Sequence, residues 1–394
     1  MTYTATHSHP SSTDHLSEQQ SFGITALTLS HFRNFSNLSL PLEPAPIVLT
    51  APNGSGKTNI LEAISLFSPG KGLKYARFSE MQQQAQSHPW QVGLSLAEDS
   101  MTVDFGTALI PGNLENNKRI VKCQGEVLKT QAILTDYLNI VWFTPSMGSL
   151  LSESGQIQRQ FVDRLVFSYD PAHAKRRSHY DKLVRERSRI LKEYGPSRHK
   201  QWLDPIEEQL SELSYDILQA RSIVLNMLEE LQSMTPLFPR FTAVMRGDAE
   251  TFHQHIRRQD SCVQAFQEQL LRNRPLDATK GITSTGPHRS KLHVVHQSKG
   301  MPAEFCSTGE QKMLVLAIIL AFVKMKSKKG LLLLLDDVAD HLDDQHRTVL
   351  LEDILSLSSA TKIQVWMTGS NAKAFEKMAH VAQFLSKGSQ GDFS

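Results

Sequence analysis

Cysteine is scarce in this 394-residue chain: Cys123, Cys262 and Cys306 are the whole complement, and no two of them form a C-x-x-C pair. Neither a disulfide framework nor a cysteine zinc site is indicated, and a reducing cytoplasm is the expected compartment. Long apolar runs are also missing. The longest, Met313 to Val323, has eleven residues, too few to span a bilayer. No Lys or Arg precedes Arg33 and no apolar segment there could serve as a signal peptide, so neither export nor a membrane partner is expected. An excess of one charge is lacking as well. The formal net charge is +2, which rules out a global basic field and confines any nucleic-acid surface to a local patch. There is no heptad run long enough for an extended coiled coil and no internal repeat.

What remains is ordinary for a soluble globular protein: 40% hydrophobic and 21% charged residues, in a length that suggests two or three domains. Residues 1–22 are rich in Ser, Thr, His and Gln and have almost nothing to bury, so they read as a disordered tail, His7, His9 and His15 included. Order begins near Ile24. Ile47-Val48-Leu49-Thr50 is a continuous apolar run between prolines, as a buried central strand requires, and Ile60, Leu61, Ile64 and Phe67 follow at helical spacing. Short strand-like stretches fill residues 92–143. From about 155 to 275 helical periodicity dominates and glycine nearly vanishes, which predicts an α-helical insertion. Strand character returns at Leu292 to Val295, Leu331 to Leu335 and Ile363 to Met367, with an apolar helix over Ser307 to Val323.

The central signal is Ala51-Pro52-Asn53-Gly54-Ser55-Gly56-Lys57-Thr58-Asn59, which fits the phosphate-binding pattern G-x-x-x-x-G-K-[ST] except for Ala51 at the first glycine. Small residues let backbone amides approach phosphates closely, and the helix that follows points its partial positive end at the anion. Lys57 is suited to β- and γ-phosphates and the Thr58 hydroxyl to Mg2+. A second element, Leu331 to Leu335 followed by Asp336 and Asp337, has the form of a strand that delivers carboxylates to the same sheet edge. Asp336 is then the Mg2+ acid and Asp337 the acid that polarises the attacking water. Lys57 and Asp336 lie 279 residues apart, so a large segment is inserted within the nucleotide-binding fold. Thr368, Gly369 and Ser370 stand either where a switch residue touches the γ-phosphate or in a plain loop.

Ser307-Thr308-Gly309-Glu310 resembles the S-G-G-E/Q signature of ABC-type ATPases; it also fits a capping box, and the two readings are compatible. Val338 to Asp343, with Asp340, Leu342 and Asp343, resembles their D-loop. These elements, in this order, resemble an ABC-type head of the SMC/Rad-like group without its long coiled coils. Within that group the chain resembles the RecF family of bacterial recombinational repair ATPases. The resemblance is carried by His31 to Phe35, by Asn53 to Ile64, by Phe143-Thr144-Pro145 and by Arg159 to Asp163. Tyr180 to Lys192, Gly286 to Arg289 and the Asp336-Asp337 pair extend it, over about residues 23–388. It implies an α/β ABC-type P-loop ATPase head formed by residues 23–150 and 280–394, with a helical arm at 151–279. It further implies a weak DNA-stimulated ATPase using ATP and Mg2+, whose signature closes over ATP bound by the partner in a homodimer. The implied role is release from gapped or junction DNA on hydrolysis, with a RecR-type mediator and a RecA-type recombinase as partners in repair and replication restart.

Residues 171–200 hold ten Lys/Arg against three acids, a local net of +7. Lys175, Arg176, Arg177, Lys182, Arg185, Arg187 and Arg189 are the candidate DNA-phosphate contacts, with a solvated helix face as the competing reading. Nothing there suggests base reading. Two rival functions remain: a P-loop kinase acting on a small molecule, which the signature segment argues against, and a structural SMC-like or nuclease-partner head, for whose arms the insertion is too short.

Overall fold

The computed structural model describes residues 22–394 except 84–87, 111–117, 197–199, 233–236, 256–257, 326–329, 340–341, 361, 389–392 and 394. The expected N-terminal tail lies outside the described residues, apart from Phe22, which opens the first strand.

The five-leucine strand organises the molecule. It lies within an all-parallel sheet ordered Gln383–Ser386, Ile47–Thr50, Ile363–Gly369, Leu331–Leu335, Asn139–Phe143. A parallel strand is covered on both faces, so a continuous apolar run is what such a position requires. Alternation then divides it. Leu331, Leu333 and Leu335 join the core beneath the helices Gly155–Tyr169 and Thr308–Met325, while Leu332 and Leu334 join the opposite core. That second core is closed by the helix Lys57–Ser65 and by a six-stranded antiparallel sheet spanning Phe22 to Val127. One buried polar side chain, Gln364, ties the two sheets. Its Oε1 accepts from the Ile24 amide at 2.8 Å and from Trp366 Nε1 at 3.0 Å, and its Nε2 donates to the carbonyls of Glu43 and Ala45, both at 3.0 Å.

Residues 155–280 are mostly helical, as the glycine-poor periodicity predicts. Their helices are Gly155–Tyr169, Ala172–Tyr194, Lys200–Leu231, Asp248–His255 and Gln259–Lys280. One element departs from that expectation. Phe241–Arg246 is a strand paired antiparallel with Lys291–His296. Phe241, Ala243 and Met245 are buried while Thr242, Val244 and Arg246 turn outward, a period of two that overrides the helical surroundings.

The same region corrects one DNA-contact assignment. Arg187 has no exposed surface. Its Nε donates to Glu207 Oε1 (2.8 Å), its Nη1 to Asp277 Oδ2 (2.7 Å) and Thr283 Oγ1 (3.1 Å), and its Nη2 to the Leu270 carbonyl (2.8 Å). A guanidinium so enclosed reaches no phosphate; it joins three helices. Arg177 is also turned inward, against Asp163 (3.2 Å) and Asp181 (3.1 Å), and Arg176 is paired with Asp170 (2.5 Å). Lys175, Lys182, Arg185 and Arg189 are exposed, and at 100° per residue they fall on one face of their helix.

Removing one partner of a buried ion pair strands the other charge. Arg187→Ala is therefore expected to destabilise the chain by about 3–5 kcal/mol, read as a drop in the urea midpoint. An exposed control, Lys175→Ala, is expected to shift it by less than about 0.5 kcal/mol.

Candidate functional site

All five strands of the parallel sheet run the same way, so their carboxyl ends gather on one edge, where open α/β sheets place ligands. The phosphate loop leaves Ile47–Thr50 at that edge. Gly56 sits at the N-cap of Lys57–Ser65 with φ 109°, and a Cβ there would come within 2.6 Å of Asn34 Nδ2 and 2.7 Å of Phe35 Cζ, so both conformation and space demand glycine. Gly54 has φ 78°, whereas Ala51 has no left-handed backbone and substitutes for glycine without strain. Lys57 is buried and its Nζ donates to the carbonyl of Ala51 (2.7 Å) and to that of Pro52 (3.4 Å). The loop's Ser55 hydroxyl is buried with no hydrogen-bond partner. An orphaned hydroxyl and a folded-back lysine beside a helix N-terminus fit a polyphosphate.

The two remote acids converge on this loop. The Thr58 hydroxyl lies 2.9 and 3.0 Å from the two Asp336 carboxylate oxygens, and Lys57 Nζ lies 4.0 Å from Asp337 Oδ1. Burial raises the Asp336 pKa above the ordinary carboxylate value; hydrogen bonds from Thr368 and Thr58 oppose that rise and the neighbouring Asp337 charge adds to it. A hydroxyl and a carboxylate whose ionisation is opposed by burial and by a neighbouring negative charge are a suitable donor set for Mg2+. Thr368, at the end of the adjacent strand, is fully buried behind the acids. Its hydroxyl accepts the Asp337 amide at 2.7 Å and donates to Asp336 Oδ1 at 2.9 Å, with Asp337 Oδ1 at 3.3 Å. It also holds Asp337 at φ 44°, a strained value for a residue with a side chain. In this structure Thr368 braces the two aspartates from behind, a role that neither the switch reading nor the plain-loop reading anticipates.

The loop is supported from outside by residues that the sequence does not mark as site residues. Arg33, in the turn after the first strand, grips the buried Glu62 of the loop's helix through Nε (2.8 Å) and Nη2 (2.6 Å). Asn34 Nδ2 and Lys387 Nζ both donate to the Ser55 carbonyl at 3.2 Å. Asn59, expected to bind nucleotide, is held by neighbours: its Nδ2 donates to Asn34 Oδ1 and its Oδ1 accepts from Lys74, both at 2.8 Å. Asn53 and Gly54 are exposed at the loop tip. In the sequence this scaffold shows as the polar Arg33-Asn34 pair between two apolar strand ends, within the His31 to Phe35 segment that carries the family resemblance.

At the start of Thr308–Met325 the capping box is present. The Ser307 amide and hydroxyl donate to Glu310 Oε2 at 2.9 and 2.8 Å, Glu310 N lies 3.4 Å from Ser307 Oγ, and Lys299 pairs with Glu310 Oε1. The Lys299 and Ser307 contacts hold the Glu310 pKa down at about 2. Ser307, Thr308 and Gly309 remain exposed. Of the D-loop residues, Asp340 lies outside the described residues and Leu342 packs on the core. Asp343 caps Asp344–Ala360 by accepting the amides of Gln345 (3.0 Å) and His346 (2.9 Å).

Thr368→Val keeps the volume but leaves the Asp337 amide without a partner, at an expected cost of about 1–3 kcal/mol in urea unfolding. Thr368→Ser, which keeps the hydroxyl, is expected to recover most of that loss.

Residues 23–390 match the family model described as the RecF/RecN/SMC N terminal domain. A protein of Mesorhizobium japonicum named DNA replication and repair protein RecF is 35% identical over 368 residues, covering 92% of this chain and 95% of its own length. One of Brucella suis biovar 1 with the same name is 37% identical over 372 residues, covering 92% and 94%. Among solved structures, a recombination mediator protein RecF–ATP complex of the RecFOR pathway superposes with a TM-score of 0.79 at 20% identity, covering 93% of this chain and 97% of that one. An Smc head from Pyrococcus furiosus gives 0.51 at 16% identity, covering 95% of each chain. The fold is thus that of an ABC-type ATPase head, and on the family match and these sequence identities the chain belongs to the RecF family of DNA replication and repair proteins.

Proposed function

We propose that this chain is an ATP-controlled DNA-binding ATPase of recombinational repair, which dimerises on ATP and lets DNA go after hydrolysis. The observation that carries the reading is the meeting of Thr58 with Asp336, 278 positions away, and of Lys57 with Asp337. In this reading the amides of Asn53–Thr58 hold the phosphates, and Lys57 turns its ammonium from the Ala51 carbonyl to the β- and γ-phosphates. Thr58 and Asp336 hold Mg2+, which supplies charge neutralisation when bound. Asp337, fixed by Thr368, orients the attacking water and accepts its proton.

The signature segment fits action in trans. Ser307, Thr308 and Gly309 face solvent at a capped helix N-terminus, an arrangement suited to receiving a γ-phosphate from another molecule. Two copies related by a two-fold axis would enclose two nucleotides, and each nucleotide would gain contacts that exist only in the dimer. Residues 151–279 would form an arm carrying the exposed stripe Lys175, Lys182, Arg185 and Arg189, and DNA phosphates would bind there with little sequence preference. A RecR-type mediator and a RecA-type recombinase at gapped DNA complete the reading, which rests there on the family alone.

With ATP and Asp337→Asn to block turnover, sedimentation is expected to show a dimer, and Ser307→Arg in the same background a monomer that still binds ATP. A wild-type chain that binds ATP yet stays monomeric with DNA present would refute the sandwich. Lys182→Glu with Arg185→Glu is expected to weaken DNA binding and flatten the plot of log affinity against log salt by about one unit per lost phosphate contact. Free ATP affinity is expected to stay unchanged in that variant, and an unchanged salt slope would remove the stripe from the DNA surface.

A further inference from the structure

A cavity of about 430 Å3 opens beside the magnesium corner, within the size range of small-molecule sites. Trp142, Leu150, Ile157 and Phe161 form apolar wall, and Thr58 and Asp336 border it. None of residues 51–57 lines it, so it is not the phosphate cradle. Arg164 does line it, and that residue is unusual. It is only 6% exposed. Its guanidinium lies 3.7 Å over the Trp142 ring and 5.5 Å from that of Phe161, its Nη1 has a single long 3.4 Å contact with the Tyr75 hydroxyl, and its Nε and Nη2 have no hydrogen bond.

Comparison within the chain sharpens this. Arg119, Arg187, Arg221 and Arg274 are also buried. Three of them are paired with carboxylate, Arg187 with Glu207 and Asp277, Arg221 with Asp163 and Arg274 with Glu207, and Arg119 donates instead to the Leu66 and Ser68 carbonyls. Among the described residues Arg164 has no carboxylate within ion-pair distance. A buried cation without a counter-ion is costly, and burial pushes its pKa down accordingly. The protein thus sets a positive charge that lacks a counter-ion against an open volume that is apolar at Trp142, Leu150, Ile157 and Phe161 and polar at Thr58, Lys74, Glu153 and Asp336. The Glu153 and Asp336 carboxylates repel a polyanion; the Arg164 charge favours a single negative group placed against it.

We propose that this cavity binds an aromatic monoanion, a carboxylate or sulfonate, whose charge offsets Arg164 and whose rings pack on Trp142 and Phe161. Because the cavity shares Thr58 and Asp336 with the magnesium corner, its occupant and Mg·ATP weaken each other's binding by the same factor. That coupling rests on the nucleotide reading above; the binding of the anion does not.

The probe is 8-anilinonaphthalene-1-sulfonate, followed by fluorescence on the folded full chain, with the uncharged N-phenyl-1-naphthylamine as its control. Wild type is expected to bind the sulfonate saturably at one site. Arg164→Met, which keeps length over Trp142 but removes the charge, is expected to weaken it about tenfold while changing the uncharged compound less than about twofold. Ile157→Trp, which fills the cavity and leaves Arg164 in place, is expected to weaken both. Sulfonate affinity unchanged in both variants, or an equal loss of the uncharged compound in Arg164→Met, overturns the site. Saturating Mg·ATP is expected to weaken the sulfonate several-fold. If equilibrium dialysis shows Mg·ATP bound and the sulfonate affinity does not move, the coupling is overturned. If Mg·ATP itself does not bind, the nucleotide reading fails while the sulfonate titrations still decide the cavity.

Discussion

The hydrogen bond between the Thr58 hydroxyl and the Asp336 carboxylate joins residues 278 positions apart, and the rest of the site depends on that meeting. It is a consequence of the parallel sheet. Ile47–Thr50 pairs with Ile363–Gly369, which pairs with Leu331–Leu335, so all three strands end at one edge. The chain can then return to that edge after a long detour and deliver a carboxylate at a set depth. The register is held by apolar burial on both faces, because a one-residue slip would exchange the two sets of leucines between cores.

Around this point several buried polar groups each have a partner that fixes a neighbour, the orphaned Ser55 hydroxyl excepted. Arg33 fixes the loop's helix through Glu62, Thr368 fixes both aspartates, and Gln364 fixes one sheet against the other. Arg187 and Arg221 do the same among the helices. Rigidity is the common result: an anion site built from backbone amides works only if the loop is already in place. Arg164 stands apart as a buried cation beside a cavity, without such a partner.

Legibility differed by residue type. Gly54, Gly56 and Lys57 announce themselves because few backbones tolerate such a loop, and Asp336-Asp337 because an apolar strand rarely ends in two acids. The charge count over 171–200 located a basic helix but could not separate Lys182, which faces solvent, from Arg187, which faces Glu207. Net charge carries no direction, and the burial phase of a helix emerges only when its neighbours pack. Phe241–Arg246 was hidden for a related reason: six residues of period two are lost in long helical surroundings until Lys291–His296 offers a partner. Asp343, read from the sequence as part of a D-loop, also caps the helix that follows, which only the packed backbone reveals.

By itself the sequence determined the phosphate loop, the leucine strand with its acids, the order of the elements and the family, since each rests on local spacing or on matches along the chain. Tertiary structure alone decided which arginines stay in water, that Thr368 braces the acids, that Asn34 and Lys387 reach the loop from opposite ends of the chain, and that Arg164 is left without a counter-ion. These are contacts between segments remote in sequence, created when apolar faces close on one another, and no local pattern encodes them.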